Sequence, residues 1–141
     1  MSPVVKFLIG LVVALAAGWV SHGPLGRGAA YLDGLEARAG SMVRYAAIPG
    51  VAVHMKRDPL SRTAILSGPA NDFQRQGIGS MIGLNGRIGS IPGVAGVQWT
   101  DEAQRFAMPL LAETLLLVAF AYLVGVGLGW VFFRPRRESF L

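Results

Sequence analysis

Cysteine is absent from the chain, which excludes disulfides, thiolate nucleophiles, Cys-based zinc sites and Cys-ligated iron–sulfur clusters. Any folded domain here must cohere by packing alone. Charge is scarce: 15% of the 141 residues are Asp, Glu, Lys or Arg, against roughly a quarter in an average soluble domain. Histidine is nearly absent, with His22 and His54 standing outside any ligand-like cluster, so both read as surface residues rather than metal ligands. No Gly-x-Ser-x-Gly elbow occurs, and Gly77-Ile78-Gly79-Ser80-Met81-Ile82-Gly83 has the wrong spacing for a dinucleotide fingerprint. The sequence therefore offers no catalytic residues, no cofactor or metal site and no evident small-molecule substrate.

What is abundant is apolar sequence, 52% of the chain, concentrated at the two ends. Thr114 to Phe133 runs without a charge; its 20 residues span about 30 Å as a helix, the thickness of a bilayer's hydrocarbon core. Trp130, Phe132 and Phe133 close the run, and Arg134, Arg136 and Arg137 follow as a topology anchor that places this end in the cytoplasm. The N-terminal run, Val4 to Val20, is shorter and carries Lys6, which can snorkel to the cytoplasmic headgroups. A cleaved signal peptide is the alternative, with Ala14-Leu15-Ala16 as a small-x-small site. Cleavage there would leave an apolar core of only Phe7 to Val13. The net charge of +5 reads as topology signal rather than as a nucleic-acid footprint.

Between the ends, Leu32, Leu35, Ala39, Met42 and Ala46 recur at steps of three and four, predicting an amphipathic helix from near Arg27 to the Ile48-Pro49-Gly50 break. Val51, Val53 and Met55 alternate with polar or small neighbours, predicting a half-buried strand, and Arg62 to Ser67 predicts its hairpin partner. Asn71 or Asp72 can cap a second helix carrying Phe73, Ile78, Met81, Ile82, Leu84, Ile88 and Ile91. Five glycines within it, Gly77, Gly79, Gly83, Gly86 and Gly89, each cost about 1 kcal/mol in a helix interior. A third strand follows at Val94 to Thr100. Ile-Pro-Gly-Val occurs twice, at 48–51 and 91–94, each time between a helix and a strand.

Gly50-Val51-Ala52-Val53, Ala64-Ile65-Leu66-Ser67-Gly68 and Ile91-Pro92-Gly93-Val94-Ala95-Gly96-Val97 resemble the strand motifs of the BON domain family. With Leu35-Glu36-Ala37-Arg38-Ala39 in the first helix, the segment is similar to the BON-like part of alphaproteobacterial outer-membrane-protein-A-like envelope proteins. The resemblance covers about 75 residues and departs from those relatives in having a second apolar run instead of a peptidoglycan-binding domain. It implies an adaptor or phospholipid-attaching role and brings no catalytic residue.

The expected fold class is an α+β membrane protein. Residues 1–22 and 105–133 form transmembrane helices around a BON-like helix-strand-strand-helix-strand domain at 23–104, and 134–141 form a basic tail. The expected location is a bacterial inner membrane, with both termini cytoplasmic and the domain periplasmic. The expected function is a non-enzymatic accessory or scaffolding subunit that meets other membrane proteins through small helix residues. These are Gly125 and Gly129 on the second span and Gly10 and Ala14, with Ala17 and Gly18, on the first. The alternative is a phospholipid- or envelope-binding protein acting in membrane integrity, with Lys56, Arg57 and Arg62 at anionic headgroups. Glu113 lies at the boundary of the second span, solvated or paired.

Overall fold

The computed structural model describes residues 2–103 and 106–133. Two long apolar helices, α1 (Pro3–His22) and α5 (Leu110–Phe133), flank a small α+β unit. Between them lie α2 (Arg27–Ala46), β1 (Ala52–Arg57), β2 (Leu60–Ser67), α3 (Asp72–Gln76), β3 (Gly77–Ile78), β4 (Met81–Ile82), α4 (Leu84–Gly89) and β5 (Gly96–Trp99). The tail arginines Arg134, Arg136 and Arg137 fall outside the described residues.

The main sheet has the order β1-β2-β5, with β2 antiparallel to β1 and parallel to β5. Because side chains alternate along each strand, the pairing aligns two inward rows: Val53, Leu66 and Trp99, and next to them Met55, Ala64 and Val97. Leu32, Leu35, Ala39 and Val43 of α2 and Leu84 and Ile88 of α4 close the core over these rows. Two helices thus cover one face of the sheet, as the patterning predicts. One position differs: Val43 is buried and Met42 is exposed, since the stripe that meets the sheet turns to i+4 after Ala39.

The Ile-Pro-Gly-Val repeat makes the same turn twice. The Val51 N–H bonds to the Ile48 carbonyl at 3.4 Å and the Val94 N–H to that of Ile91 at 3.0 Å. Proline occupies the first corner and a glycine at positive φ the second, the chemistry of a type II turn.

The single long helix expected from Asn71 onward is replaced by helix, hairpin and helix. Asn71 does cap α3, accepting from the Gln74 N–H at 2.8 Å while the Gln74 side chain accepts from its own N–H. After five residues Gly77 takes φ +86, where any side chain would strike the Met81 carbonyl. Gly79 then takes the first corner of a two-residue hairpin. The glycines that burden a helix here permit this turn chemistry instead.

With 20 and 24 residues, α1 and α5 are each long and apolar enough to cross a membrane. They pack on each other. A Cβ built on Gly18 would lie 3.5 Å from Leu115 Cδ2 and 3.9 Å from Val118 Cβ. Near the other end the Tyr122 hydroxyl donates to the Phe7 carbonyl at 2.8 Å, and its ring lies against Gly10 and 5.4 Å from that of Phe7. Away from this seam the side chains of both helices are exposed, Leu117 at 69% and Phe120 at 66% among them.

This pairing has a direct test. The 3.9 Å separation at Gly18 and Val118 falls within the Cβ–Cβ range of a disulfide, about 3.5–4.5 Å. Gly18→Cys combined with Val118→Cys should therefore cross-link on mild oxidation, giving a faster-migrating, reducible band on denaturing gels. Gly18→Cys with Gly125→Cys should not. No native cysteine competes, and failure of the first pair would reject the observed seam.

Candidate functional site

Of the small residues expected to mediate helix docking, Gly10 and Gly18 are consumed inside the chain, and Ala14 lies half-buried between them. Gly125, Gly127 and Gly129 have no atom within 4 Å of where a Cβ would stand. They lie one to two turns beyond Tyr122, and no atom of α1 comes within 4 Å of these Cβ positions. Gly125 and Gly129, four residues apart, thus present bare backbone on one face of α5 that a neighbouring helix could approach closely, while Gly127 lies on the opposite side. The residue that sequence reasoning missed is Tyr122. Its hydroxyl in the middle of an apolar run had to find an acceptor, and the nearest helix supplied one.

The three basic residues expected at lipid headgroups do not form one patch. Arg57, beyond a bulge at the end of β1, is 2.8 Å from Asp33 and 3.0 Å from Glu36 of α2. Lys56 precedes it with the opposite side-chain direction, beside Ile65 and Gln98. Arg62, the third residue of β2, reaches toward α5: its Nε donates to Glu113 Oε2 at 2.6 Å and its Nη1 to the Gly93 carbonyl at 3.3 Å. The Glu113 hydrogen bond raises the Arg62 pKa, against the cost of desolvation, and the Tyr31 hydroxyl adds to the effect. Glu113 also stands in the first turn of α5, where a negative charge suits the helix dipole. The pair ties the sheet to the root of the second apolar helix.

Glu36 pins α2 to β1 and carries a pH signature. Burial alone would raise its pKa, but the Met55 N–H donating at 2.9 Å and the Arg57 guanidinium outweigh it, so the carboxyl is held below the usual glutamate range. A depressed carboxylate stabilises the fold fully above its unfolded pKa, and this contribution vanishes as pH falls through the folded value. The difference in melting temperature between the wild type and Glu36→Gln should accordingly be largest near neutrality and shrink as the pH falls through the acidic range. A difference that does not shrink on acidification would show that packing, not ionisation, is what Gln disturbs.

At the opposite end of α2, Phe73, Met81 and Ile82 are exposed and border a groove of about 250 Å³ with Ala46, Ile48 and Arg87. Since α2 is 20 residues long, this groove lies on the order of 25–30 Å from the roots of α1 and α5. Arg75 behind it chelates Asp101 at 2.8 and 3.0 Å and lies 4.1 Å over the Trp99 ring.

His54 is exposed on β1, as expected of a surface residue. His22 is not: only 9% of it is exposed, a correction to the surface reading. The helix turn after it folds α2 back over the ring, a closure no local pattern announces. Among the described residues no group of three His, Cys, Asp or Glu could hold a metal ion.

No family model, curated protein or solved structure matches the chain.

Proposed function

We propose that the chain is an accessory or scaffolding subunit of an inner-membrane protein complex, without catalytic activity of its own. In this reading α1 and α5 cross the bilayer, both termini are cytoplasmic and the BON-like domain stands in the periplasm. The observation that carries it is the unfilled backbone at Gly125 and Gly129. A lone two-helix anchor needs only the Gly10 and Gly18 seam, and open backbone continuing along the same face of α5 beyond Tyr122 suits a further transmembrane partner.

Three features support the membrane placement. The outward faces of both helices are apolar over lengths of about 30 and 36 Å, surface that water would not tolerate in such amount. Lys6 near the start of α1 and the arginines after Phe133 put positive charge at the same side of a two-pass topology. The exposed groove at Phe73, Met81 and Ile82, at the end of α2 away from the helix roots, suits contact with a periplasmic part of the complex.

Extraction of native membranes in mild detergent, followed by sizing, should find the chain migrating with larger proteins. A stable monomer would reject the scaffolding role.

A further inference from the structure

Between the end of α1, the start of α2 and the first two turns of α5 lies a cavity of about 370 Å³. His22 forms part of its wall. The imidazole is nine-tenths buried, yet among the described residues it has no hydrogen-bond or ionic partner. Neither ring nitrogen is sealed away from solvent without a partner, and the ring lines the cavity. A buried polar side chain is normally satisfied, and the position calls for an external group.

The surroundings say what kind of group. The ring lies so close to the first turn of α2 that a Cβ on Gly28 would stand 2.6 Å from its Cε1. That turn begins at Gly26, and it has neither a capping side chain nor an acidic residue. The first N–H groups of a 20-residue helix are thus left for an outside acceptor, and a helix N-terminus favours an anion. Arg27 and Arg62 also line the cavity against a single carboxylate, Glu113. Toward the apolar helices the wall turns to Leu110 and Leu117.

We propose that this cavity binds the phosphate of an anionic phospholipid, with His22, Arg27, Arg62 and the α2 N-terminus around the headgroup and the acyl chains leaving along Leu117. The location favours a lipid over a free anion: the cavity opens where α1 ends and α5 begins, the level at which headgroups stand. This inference rests on the membrane-spanning reading and is independent of the scaffolding role.

The test is native mass spectrometry of the full chain in neutral detergent, titrated with phosphatidylglycerol, phosphatidylcholine or inorganic phosphate. One phosphatidylglycerol should be retained per chain, at concentrations where phosphatidylcholine is not. Arg27→Gln should weaken retention about fivefold, the value of one interfacial charge. It leaves the Arg62–Glu113 pair in place, so misfolding is not the cause. His22→Leu should weaken retention as well, while the Gly18→Cys and Val118→Cys cross-link still forms.

Equal retention of both lipids, or retention that neither variant alters, would overturn the proposal in favour of ordinary annular lipid. Displacement of phosphatidylglycerol by inorganic phosphate at matching concentrations would overturn the lipid assignment in favour of a free-anion site. A chain that stays in aqueous buffer without detergent would reject the membrane reading and this site together. A detergent-dependent chain that retains no lipid would reject the site alone.

Discussion

Gly125→Ile combined with Gly129→Ile should abolish co-migration of the chain with larger membrane proteins while leaving it fully inserted. The two glycines are four residues apart, one helical turn, and neither has a neighbour within 4 Å. Helix association inside a bilayer gains little from the hydrophobic effect, because lipid tails are as apolar as the side chains; it depends on close packing of backbones. A branched side chain at both positions holds a partner helix away and removes most of that contact. Insertion is unharmed, since isoleucine is favourable at a span's centre by about 0.3–0.6 kcal/mol. Internal packing is spared too, because α1 contacts α5 at Leu115, Val118 and Tyr122. Leu116→Ile is the matched control: nine residues before Gly125, it faces the opposite side of α5 and should leave the assembly intact. Sizing of detergent extracts reads the result, and unchanged migration of the double variant would remove the glycine strip as the docking surface.

Trp99→Ala should be the most damaging single substitution in the domain. Trp99 is 1% exposed, ends the inward row with Val53 and Leu66, and donates its indole N–H to Asn85 Oδ1 at 2.8 Å. Truncating a buried aromatic costs about 3–5 kcal/mol from lost transfer energy and the cavity left behind. The change also strands the Asn85 amide oxygen and takes away the ring over which Arg75 lies. For a domain of this size each 1 kcal/mol moves the melting temperature by about 4–8 °C, so a fall of at least about 12 °C is expected. Trp99→Phe keeps most of the volume but lacks the N–H and should fall between the wild type and Trp99→Ala. Thermal melts of the full chain in detergent, followed by near-ultraviolet dichroism, provide the measurement. A loss of only a few degrees for Trp99→Ala would mean that the β5 and α4 layer is not part of the cooperative core.

Much of the architecture is legible along the chain because it depends on neighbours in sequence. Steps of three and four placed Leu32, Leu35 and Ala39 on the buried face of α2, and alternation placed Val53 and Met55 on that of β1. The Ile-Pro-Gly-Val turns and the Asn71 cap follow from backbone geometry that proline, glycine and asparagine impose locally. Periodicity failed over 72–91 for an equally local reason. A run of apolar residues broken by glycines fits a helix face loosely, and only the pairing of Gly77 with Ile82 makes the hairpin the better state.

The site was less legible. The Gly-x-x-x-Gly spacing was visible, but which helix faces are filled depends on how α1 crosses α5, more than a hundred residues away in sequence. Arg62 read as a free cation because its partner Glu113 is 51 residues further on. His22 read as a surface residue because nothing before Gly28 announces that α2 folds back over it. Length, apolarity and local turn chemistry thus determined by themselves that the chain has two long apolar helices around a small α+β unit. Tertiary structure alone decided which glycines are already covered, which cations are neutralised and which buried imidazole lacks a partner. Those outcomes depend on contacts between distant segments, and a contact's energy is set by what lies across it, which no single stretch of sequence contains.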